Sequence, residues 1–209
     1  MTAPTAPLVF IVDDDPSVRK SLARLVRAAG YEVETLVSAR EFLARPSYDG
    51  PSCLVLDLRM PGPTGLELQE TLATAGQRLS IVFITGYRDV RASVKAMKGG
   101  AIDFLTKPVN DRDLLDAIER AVTKSRRAQH DQTRITEIQN RIKTLTPREA
   151  EVFALVVTGK LNKQIASELG VSEKMVKVHR GRVMEKMRAG SLAELVRLAD
   201  EGGVTSPHS

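Results

Sequence analysis

The chain has 209 residues, of which 42% are apolar and 27% are charged, a composition typical of globular domains and not of fibrous or disordered chains. It contains one cysteine, Cys53, and three histidines, which excludes an intramolecular disulfide and a zinc cluster. No apolar run approaches the ~18 residues that cross a bilayer, and Met1–Pro7 lacks the organisation of a secretory signal. We therefore expect a cytoplasmic protein.

The charge is divided unevenly along the chain. Residues 1–120 carry 15 Lys/Arg and 16 Asp/Glu, a net charge of −1, whereas residues 121–209 carry 16 and 10, a net charge of +6. Positive charge confined to one end favours binding to a phosphate backbone, although such a segment can also simply keep a protein in solution.

The first half alternates short apolar runs with segments of helical period, a pattern typical of parallel strands joined by crossover helices. The predicted strands are Leu8–Val12, Tyr31–Leu36, Cys53–Leu56, Leu79–Ile84 and Ala101–Leu105. The predicted helices cover residues 16–29, 38–45, 64–75, 88–98 and 110–127. We predict a doubly wound α/β domain whose five-stranded parallel sheet has the flavodoxin-like order 2-1-3-4-5, with Tyr31–Leu36 at an edge.

Residues 124–143 contain no Gly or Pro and are rich in Arg and Gln, which predicts a helical connector. Four apolar residues recur there at helical spacing: Ile135, Ile138, Ile142 and Leu145. This stripe either packs on one of the two domains or forms a dimerising coiled coil.

The remaining residues are predicted to form an all-α bundle of four helices. The expected helix starts are a capping box of Thr146 and Glu149, caps at Asn162 and Ser172, and a second capping box of Ser191 and Glu194. The predicted domains are therefore residues 1–124, a helical linker over 125–143, a helical domain over 144–203 and a disordered tail over 204–209.

Functional side chains follow the predicted strands of the first half. Asp13 and Asp14 come after the first strand, Asp57 ends the third, Thr85 the fourth and Lys107 the fifth. Because parallel strands end at one edge of the sheet, these groups should share a crevice that suits Mg²⁺ and a phosphoryl group. Taken alone, each residue can be interpreted as a helix cap, a turn residue or a surface lysine. These ordinary interpretations do not explain why all of them stand at successive strand ends.

Four motifs, Val12–Asp15, Leu56–Gly62, Ile84–Gly86 and Phe104–Pro108, resemble the receiver domain of two-component response regulators over about residues 8–125. The resemblance implies that Asp57 is the phosphoacceptor and that Asp13 and Asp14 form the acidic pocket. It also implies that Mg²⁺ is held by Asp14, Asp57 and the backbone carbonyl of Arg59, beside Asp13.

The same resemblance assigns the signalling residues. Thr85 and Lys107 would contact the phosphoryl group, Phe104 would be the aromatic switch, and the Lys107–Pro108 peptide bond would be cis. Phosphorylation would then reshape the face made by residues 88–98, 101–105 and 110–127 into a dimer surface. The sequence departs from that of close relatives at Tyr87–Arg88 and at Pro63. These departures affect the expected geometry of loops and not the expected chemistry.

Residues 172–189 form an amphipathic helix on a helical wheel. Val176, Val183, Met184 and Met187 gather on one side, and the opposite side is basic, with six basic and two acidic residues over 172–188. A charged helix face is often plain solvated surface, but a capped basic helix after a short helix also matches a recognition helix for the major groove.

Segments including Leu145–Glu149, Gly159–Lys163 and Val176–Arg180 resemble the LuxR-type helix-turn-helix domain. With the receiver domain, the whole chain resembles the NarL/FixJ family, nearest to FixJ-like regulators. This similarity implies that Lys177, Val178 and Gly181 face bases. The implied phosphate contacts are Lys163, Lys174, Arg180 and Arg182. Met175 stands where a Thr is usual, and Gly181 offers no side chain for readout.

We therefore expect a response regulator that a sensor histidine kinase phosphorylates on Asp57 in the presence of Mg²⁺. It would form a homodimer, bind promoter DNA and activate transcription, with RNA polymerase as a further partner, and it would not be an enzyme beyond slow self-dephosphorylation. Two alternatives are a Mg²⁺-dependent phosphohydrolase, against which the lack of a cap segment argues, and a DNA-binding regulator that works without phosphorylation.

Overall fold

The structure is a computed structural model that describes residues 6–77, 79–86 and 90–204. It divides into two compact units, Met1–Gln129 and His130–Ser209. The division falls within the segment for which the sequence predicts a helical connector. Among the described residues, no helix combines the length and the apolar character needed to cross a membrane.

The N-terminal unit is built on a five-stranded parallel sheet. Its strands are β1 (Leu8–Val12), β2 (Glu32–Leu36), β3 (Ser52–Asp57), β4 (Ser80–Thr85) and β5 (Asp103–Thr106). The order is β2-β1-β3-β4-β5, which confirms the predicted fold. Strands β3 and β4 are buried throughout, whereas β2 at the edge exposes Glu32 and Glu34, as its alternating sequence indicates.

In the described part of this unit, five helices accompany the sheet: α1 (Pro16–Ala28), α2 (Ala39–Ala44), α3 (Gly65–Thr74), α4 (Val90–Lys98) and α5 (Asp111–Lys143). Helix α5 continues without a break through the predicted connector. The last strand begins later than the predicted Ala101, because the Ala101 N–H donates to Ala96 O (3.1 Å) and closes α4.

Alternation along the strands divides the apolar side chains between two cores, one on each face of the sheet. Phe10, Leu54 and Phe83 lie in one core, and Ile11 and Ile84 in the other. Cys53 is buried in the second core, where burial raises the pKa of its thiol, so it packs as a small apolar residue.

The C-terminal unit contains α6 (Pro147–Val157), α7 (Asn162–Leu169), α8 (Glu173–Met187) and α9 (Leu192–Glu201). Its core includes Val152, Ile165 and Val183. Ile138 of α5 is buried in this core, and Ile142 and Leu145 pack against it. The apolar stripe therefore packs within the C-terminal unit, the first of the two interpretations above.

One predicted helix cap is wrong, and one predicted capping box is incomplete. Asn162 is the first residue of α7 and not its cap; the N-cap is Leu161, whose N–H donates to Gln164 Oε1 (2.8 Å). The Ser191 box is half formed, because Glu194 Oε2 accepts from Gly190 N–H (2.9 Å). In both cases a nearby side chain satisfies the free backbone N–H in another way.

The predicted disordered tail is also wrong at its first residue. Val204 packs against the core of the C-terminal unit, and its N–H donates to Ala199 O (2.9 Å). Gly203, with φ 77°, turns the chain back to allow this closure. Residues 205–209 lie outside the described residues.

The Thr146 capping box forms as predicted and leads into a buried ion pair. Glu149 is 2% exposed, and its Oε2 accepts from Lys186 Nζ (2.5 Å) and from Thr146 N–H (2.9 Å). These hydrogen bonds, the one from Lys186 above all, lower the pKa of Glu149 to about 2. The pair joins the start of α6 to the last turns of α8.

We expect Glu149→Gln to lower the free energy of unfolding of the C-terminal unit by about 1.5–3 kcal/mol at neutral pH, because a charged hydrogen bond is lost from a buried site. The folded pKa of about 2 lies below the ordinary 4.5, so the stabilisation is complete above pH 4.5 and disappears as the pH falls toward 2. Hydrogen exchange of α6 and α8 amides measures this difference.

The matched control is Glu151→Gln, whose half-exposed carboxylate pairs with Arg148 on the surface. We expect this variant to exchange like the wild type. A difference between wild type and Glu149→Gln that stays constant down to pH 2 would contradict the assigned role of the charge.

Candidate functional site

Four strand ends bring functional groups together at the carboxyl edge of the sheet. Asp13 follows β1, Asp57 ends β3, Thr85 ends β4, and Lys107 follows β5. In the described part of the chain, carboxylate oxygens of Asp13, Asp14 and Asp57 lie within 4.8 Å of one another. Asp13, Asp57 and Thr85 are buried, whereas Asp14 is exposed, so the cluster opens to solvent on one side.

Lys107 connects the two buried carboxylates. Its Nζ lies 2.7 Å from Asp13 Oδ2 and 2.7 Å from Asp57 Oδ2, and its backbone N–H donates to Thr85 O (2.7 Å). The Lys107–Pro108 peptide bond is cis, as the resemblance implied. The Lys107 ammonium group therefore lies between the carboxylates of Asp13 and Asp57, which precede it in sequence by 94 and 50 positions.

Burial and hydrogen bonding act in opposite directions on the pKa values of Asp13 and Lys107. Burial raises the pKa of the Asp13 carboxyl, against the hydrogen bonds from Lys107 and from the Asp15 backbone. Burial also lowers the pKa of the Lys107 amine, but the hydrogen bonds and charges of Asp13 and Asp57 outweigh it and leave that pKa raised. Lys107 is consequently a cation at neutral pH.

Backbone groups hold both buried carboxylates in place. Asp13 Oδ1 accepts from Asp15 N–H (2.9 Å), and Asp57 Oδ1 accepts from Arg59 N–H (3.2 Å). The guanidinium of Arg19 donates to the backbone carbonyl of Asp13. These contacts restrain Asp13 and Asp57 in the arrangement that the structure shows.

The charge of the cluster fits a divalent cation. The cluster contains three carboxyl groups and one ammonium group, so acidic groups outnumber basic ones by two. Oxygen ligands with one side open to water are the surroundings that Mg²⁺ prefers. Asp13, Asp14 and Asp57 are therefore suited to hold Mg²⁺.

Sequence reasoning missed Gly65, the first residue of α3. A Cβ at this position would lie 2.5 Å from Asp57 O and 3.1 Å from the Phe83 ring. Helix α3 therefore begins directly against the backbone of the candidate phosphoacceptor. The available signal was a glycine inside the capping box that Thr64 forms with Glu67, at a position where other residues favour helix better.

The residues assigned to signalling lie beside the pocket. Thr85 is 1% exposed, and Phe104 is partly buried, with its ring centroid 6.3 Å from that of Phe83. The pairing of Phe83 with Phe104 and of Thr85 with Thr106 places Thr85 and Phe104 on one face of the sheet. Tyr87 and Arg88 lie outside the described residues.

The C-terminal unit presents the residues assigned to DNA on α7 and α8. Lys163, Lys174, Lys177, Val178, Gly181 and Arg182 are exposed, and Arg180 is partly buried. Val176, Val183 and Met187 are buried on the opposite side, as the helical wheel predicts. A Cβ at Gly181 would meet no atom within 4 Å, so this part of α8 is open.

One of the six basic residues of the wheel does not contribute to this surface. Lys186 Nζ is bound to Glu149 and to Thr144 O (3.0 Å). A helical wheel shows where the charges of one helix lie. It does not show which of them contacts a carboxylate of another helix.

Residues 9–119 match the response regulator receiver domain, and residues 143–199 match the bacterial regulatory proteins of the luxR family. The chain belongs to the NarL/FixJ family of response regulators. The acidic pocket lies in the first matched segment and α8 in the second.

This response regulator is similar to Nodulation protein W of Bradyrhizobium diazoefficiens, with 47% identity over 207 residues that cover 99% of the chain and 91% of the relative. It is 44% identical to the transcriptional regulatory protein FixJ of Rhizobium meliloti over 195 residues, or 93% of the chain and 96% of that protein. The solved structure of the response regulator StyR superposes with a TM-score of 0.85 at 45% identity, covering 94% of the chain and 100% of StyR.

The chain is thus a transcriptional regulator of a two-component system, with a receiver domain and a LuxR-type DNA-binding domain. Its partners by class are a sensor kinase and DNA.

We expect Gly65→Ala to destabilise the N-terminal unit by about 1–3 kcal/mol, because its Cβ would overlap the Asp57 carbonyl and the core around Phe83. The same shift should weaken Mg²⁺ binding. Thermal unfolding and calorimetric titration with Mg²⁺ measure the two effects. Gly86→Ala is the control, since its Cβ would meet no atom within 4 Å; equal behaviour of the two variants would contradict the assigned contact.

Proposed function

We propose that Asp57 accepts a phosphoryl group from the phosphohistidine of a sensor histidine kinase. The observation that carries this proposal is the bridge from Lys107 Nζ to Asp13 and Asp57, at 2.7 Å each, beside the buried Thr85. An Asp57 oxygen attacks phosphorus; the O–P bond forms as the N–P bond of phosphohistidine breaks, and the electron pair of that bond stays on the histidine nitrogen.

The residues around Asp57 stabilise the charge that moves onto the site. Asp13, Asp14, Asp57 and the Arg59 carbonyl would hold Mg²⁺, which would supply positive charge near the phosphoryl oxygens. Lys107 is already beside Asp57 and exchanges part of its contact with that carboxylate for a phosphoryl oxygen. The Thr85 hydroxyl donates to another phosphoryl oxygen.

Phosphorylation would change the face formed by α4, β5 and α5. As Thr85 moves toward the phosphoryl group, the Phe104 ring occupies the space it leaves. Helix α4 supports a role of this face in dimer formation, because Val90, Val94 and Met97 are 74%, 48% and 47% exposed and lie on one side of the helix. The homodimer would form through this surface.

The C-terminal unit would bind promoter DNA with α8 in the major groove. Lys177, Val178 and the backbone at Gly181 face bases, and Lys163, Lys174, Arg180 and Arg182 meet phosphates. The dimer would recruit RNA polymerase and activate transcription. Because the kinase domain and the promoter of such a system are both in the bacterial cytoplasm, the protein would act there.

The first test compares wild type with Asp57→Asn after incubation with Mg²⁺ and acetyl phosphate. We expect the wild type to gain the mass of one phosphoryl group and to form dimers, and the variant to do neither, because an amide is a poor nucleophile. Mass spectrometry and analytical ultracentrifugation provide the readouts. Asp49→Asn is the control, because the exposed Asp49 precedes β3 and Asp57 is at the other end of that strand.

Two other outcomes would favour the alternatives. Equal mass and dimer content in wild type and Asp57→Asn would remove the phosphorylation switch and favour a regulator that works without it. Sustained release of phosphate from added phosphoesters would favour a phosphohydrolase.

The second test separates base contacts from phosphate contacts by selection of bound sequences from a random duplex library. We expect Lys177→Ala to relax the preference at one base pair at a cost of about 1–3 kcal/mol there. Lys163→Ala should weaken binding to all sequences alike and keep the preference. An unchanged preference in Lys177→Ala would contradict the proposed orientation of α8.

A further inference from the structure

Asn162 has a side chain that its own helix does not use. Asn is among the preferred N-cap residues, yet Asn162 is the first residue of α7 and follows Leu161, the N-cap. The free N–H of Leu161 is satisfied by Gln164 Oε1 at 2.8 Å. The Asn162 amide is therefore available for a contact outside α7.

That contact is with Arg180 in the middle of α8. Arg180 Nη1 donates to Asn162 Oδ1 at 3.1 Å, across 18 positions of sequence. Arg180 is partly buried and lies between the exposed Lys177 and the buried Val183, three residues from each. Its guanidinium thus emerges at the border of the exposed face of α8, with its direction restrained by the first turn of α7.

The partner of Arg180 is a neutral side-chain amide and not a carboxylate. Several basic side chains of the C-terminal unit hydrogen-bond to carboxylates, which compensate their charges: Arg134 with Glu201, Arg148 with Glu151, Lys160 with Glu168, and Lys186 with Glu149. Arg180 instead binds a neutral amide. An amide oxygen restrains a guanidinium without cancelling its charge, and the other N–H donors of the group stay available to an anion.

We propose that Asn162 is a positioning residue for DNA binding, which holds the Arg180 guanidinium ready for a phosphate of the duplex backbone. The inference rests on the proposed DNA-binding function of the C-terminal unit and adds to it a residue that touches no DNA itself. A restrained side chain loses less conformational freedom when the complex forms, so the contact contributes more to affinity.

The exchange of Asn162 for Asp separates restraint from charge. Asp keeps the shape and an acceptor oxygen facing Arg180, but its carboxylate compensates the guanidinium, as the glutamates do for the other basic side chains. Asn162→Ala removes the restraint and leaves the charge. The two variants therefore predict different salt dependences.

The experiment measures binding of the full-length protein, with Mg²⁺ and beryllofluoride, to a fluorescent mixed-sequence duplex over a series of salt concentrations. We expect Arg180→Ala to reduce the slope of log affinity against log salt by about 0.9, the value for one phosphate contact. Asn162→Asp should reduce the slope by a similar amount. Asn162→Ala should weaken binding about three- to tenfold with a smaller change in slope.

A double-mutant cycle gives the decisive comparison. In the Arg180→Ala background, Asn162→Ala should cause no further loss of affinity, because its effect acts through Arg180. Lys160→Ala is the matched control: it removes a basic residue whose charge Glu168 already compensates, and we expect a wild-type slope. Thermal unfolding checks that each variant is folded, and Asn162→Asp keeps the acceptor if Asn162→Ala does not fold.

Three results would overturn the inference: equal losses from Asn162→Ala in the presence and absence of Arg180, a wild-type slope in Asn162→Asp, or a wild-type slope in Arg180→Ala. Failure of the proposed DNA-binding function is a different result. In that case the wild type itself would show no salt-dependent binding, and Lys174→Ala and Lys177→Ala would change nothing.

Discussion

The N-terminal unit depends on the compensation of two buried negative charges by one ammonium group. Asp13 follows β1 and Asp57 ends the adjacent strand β3, so the order of the sheet places the two buried carboxylates close together. Their mutual repulsion must then be compensated. Lys107 comes from the far edge, beyond β4, and reaches both at 2.7 Å. The pocket is therefore complete only when β1, β3, β4 and β5 are all in register. Charge compensation and the order of the sheet support each other.

Strand order and the pocket could be predicted from sequence for the same reason. Continuous apolar runs mark buried parallel strands, and polar residues directly after them must lie at one edge. The start of β5 was less predictable, because Ala101 is apolar but its N–H closes α4. Gly65 was missed because its role is a close approach to Asp57 O, which becomes visible only when β3 and α3 are in place.

In the C-terminal unit, predictions failed where contacts between helices decide the outcome. The number of helices and the buried side of α8 follow from spacing alone. Asn162 is a good capping residue by type. However, the Leu161 N–H donates to the Gln164 side chain, and the Asn162 amide oxygen accepts from Arg180. Lys186 is one of the basic residues counted on the helical wheel of α8, yet its ammonium group donates to Glu149 of α6. The residue type limits which partners a side chain can bind, and the packing of the helices determines which of them it does bind.

The open position at Gly181 has a consequence for how such a regulator diverges. A side chain added there meets no protein atom within 4 Å, so it extends from α8 without displacing a neighbour. In the middle of a helix most other residues are also intrinsically more favourable than glycine. A side chain at this position would thus change the exposed face of α8, for which we propose base contacts, without displacing a described atom. After a gene duplication, two copies of this regulator could acquire separate sets of promoters while keeping the same core.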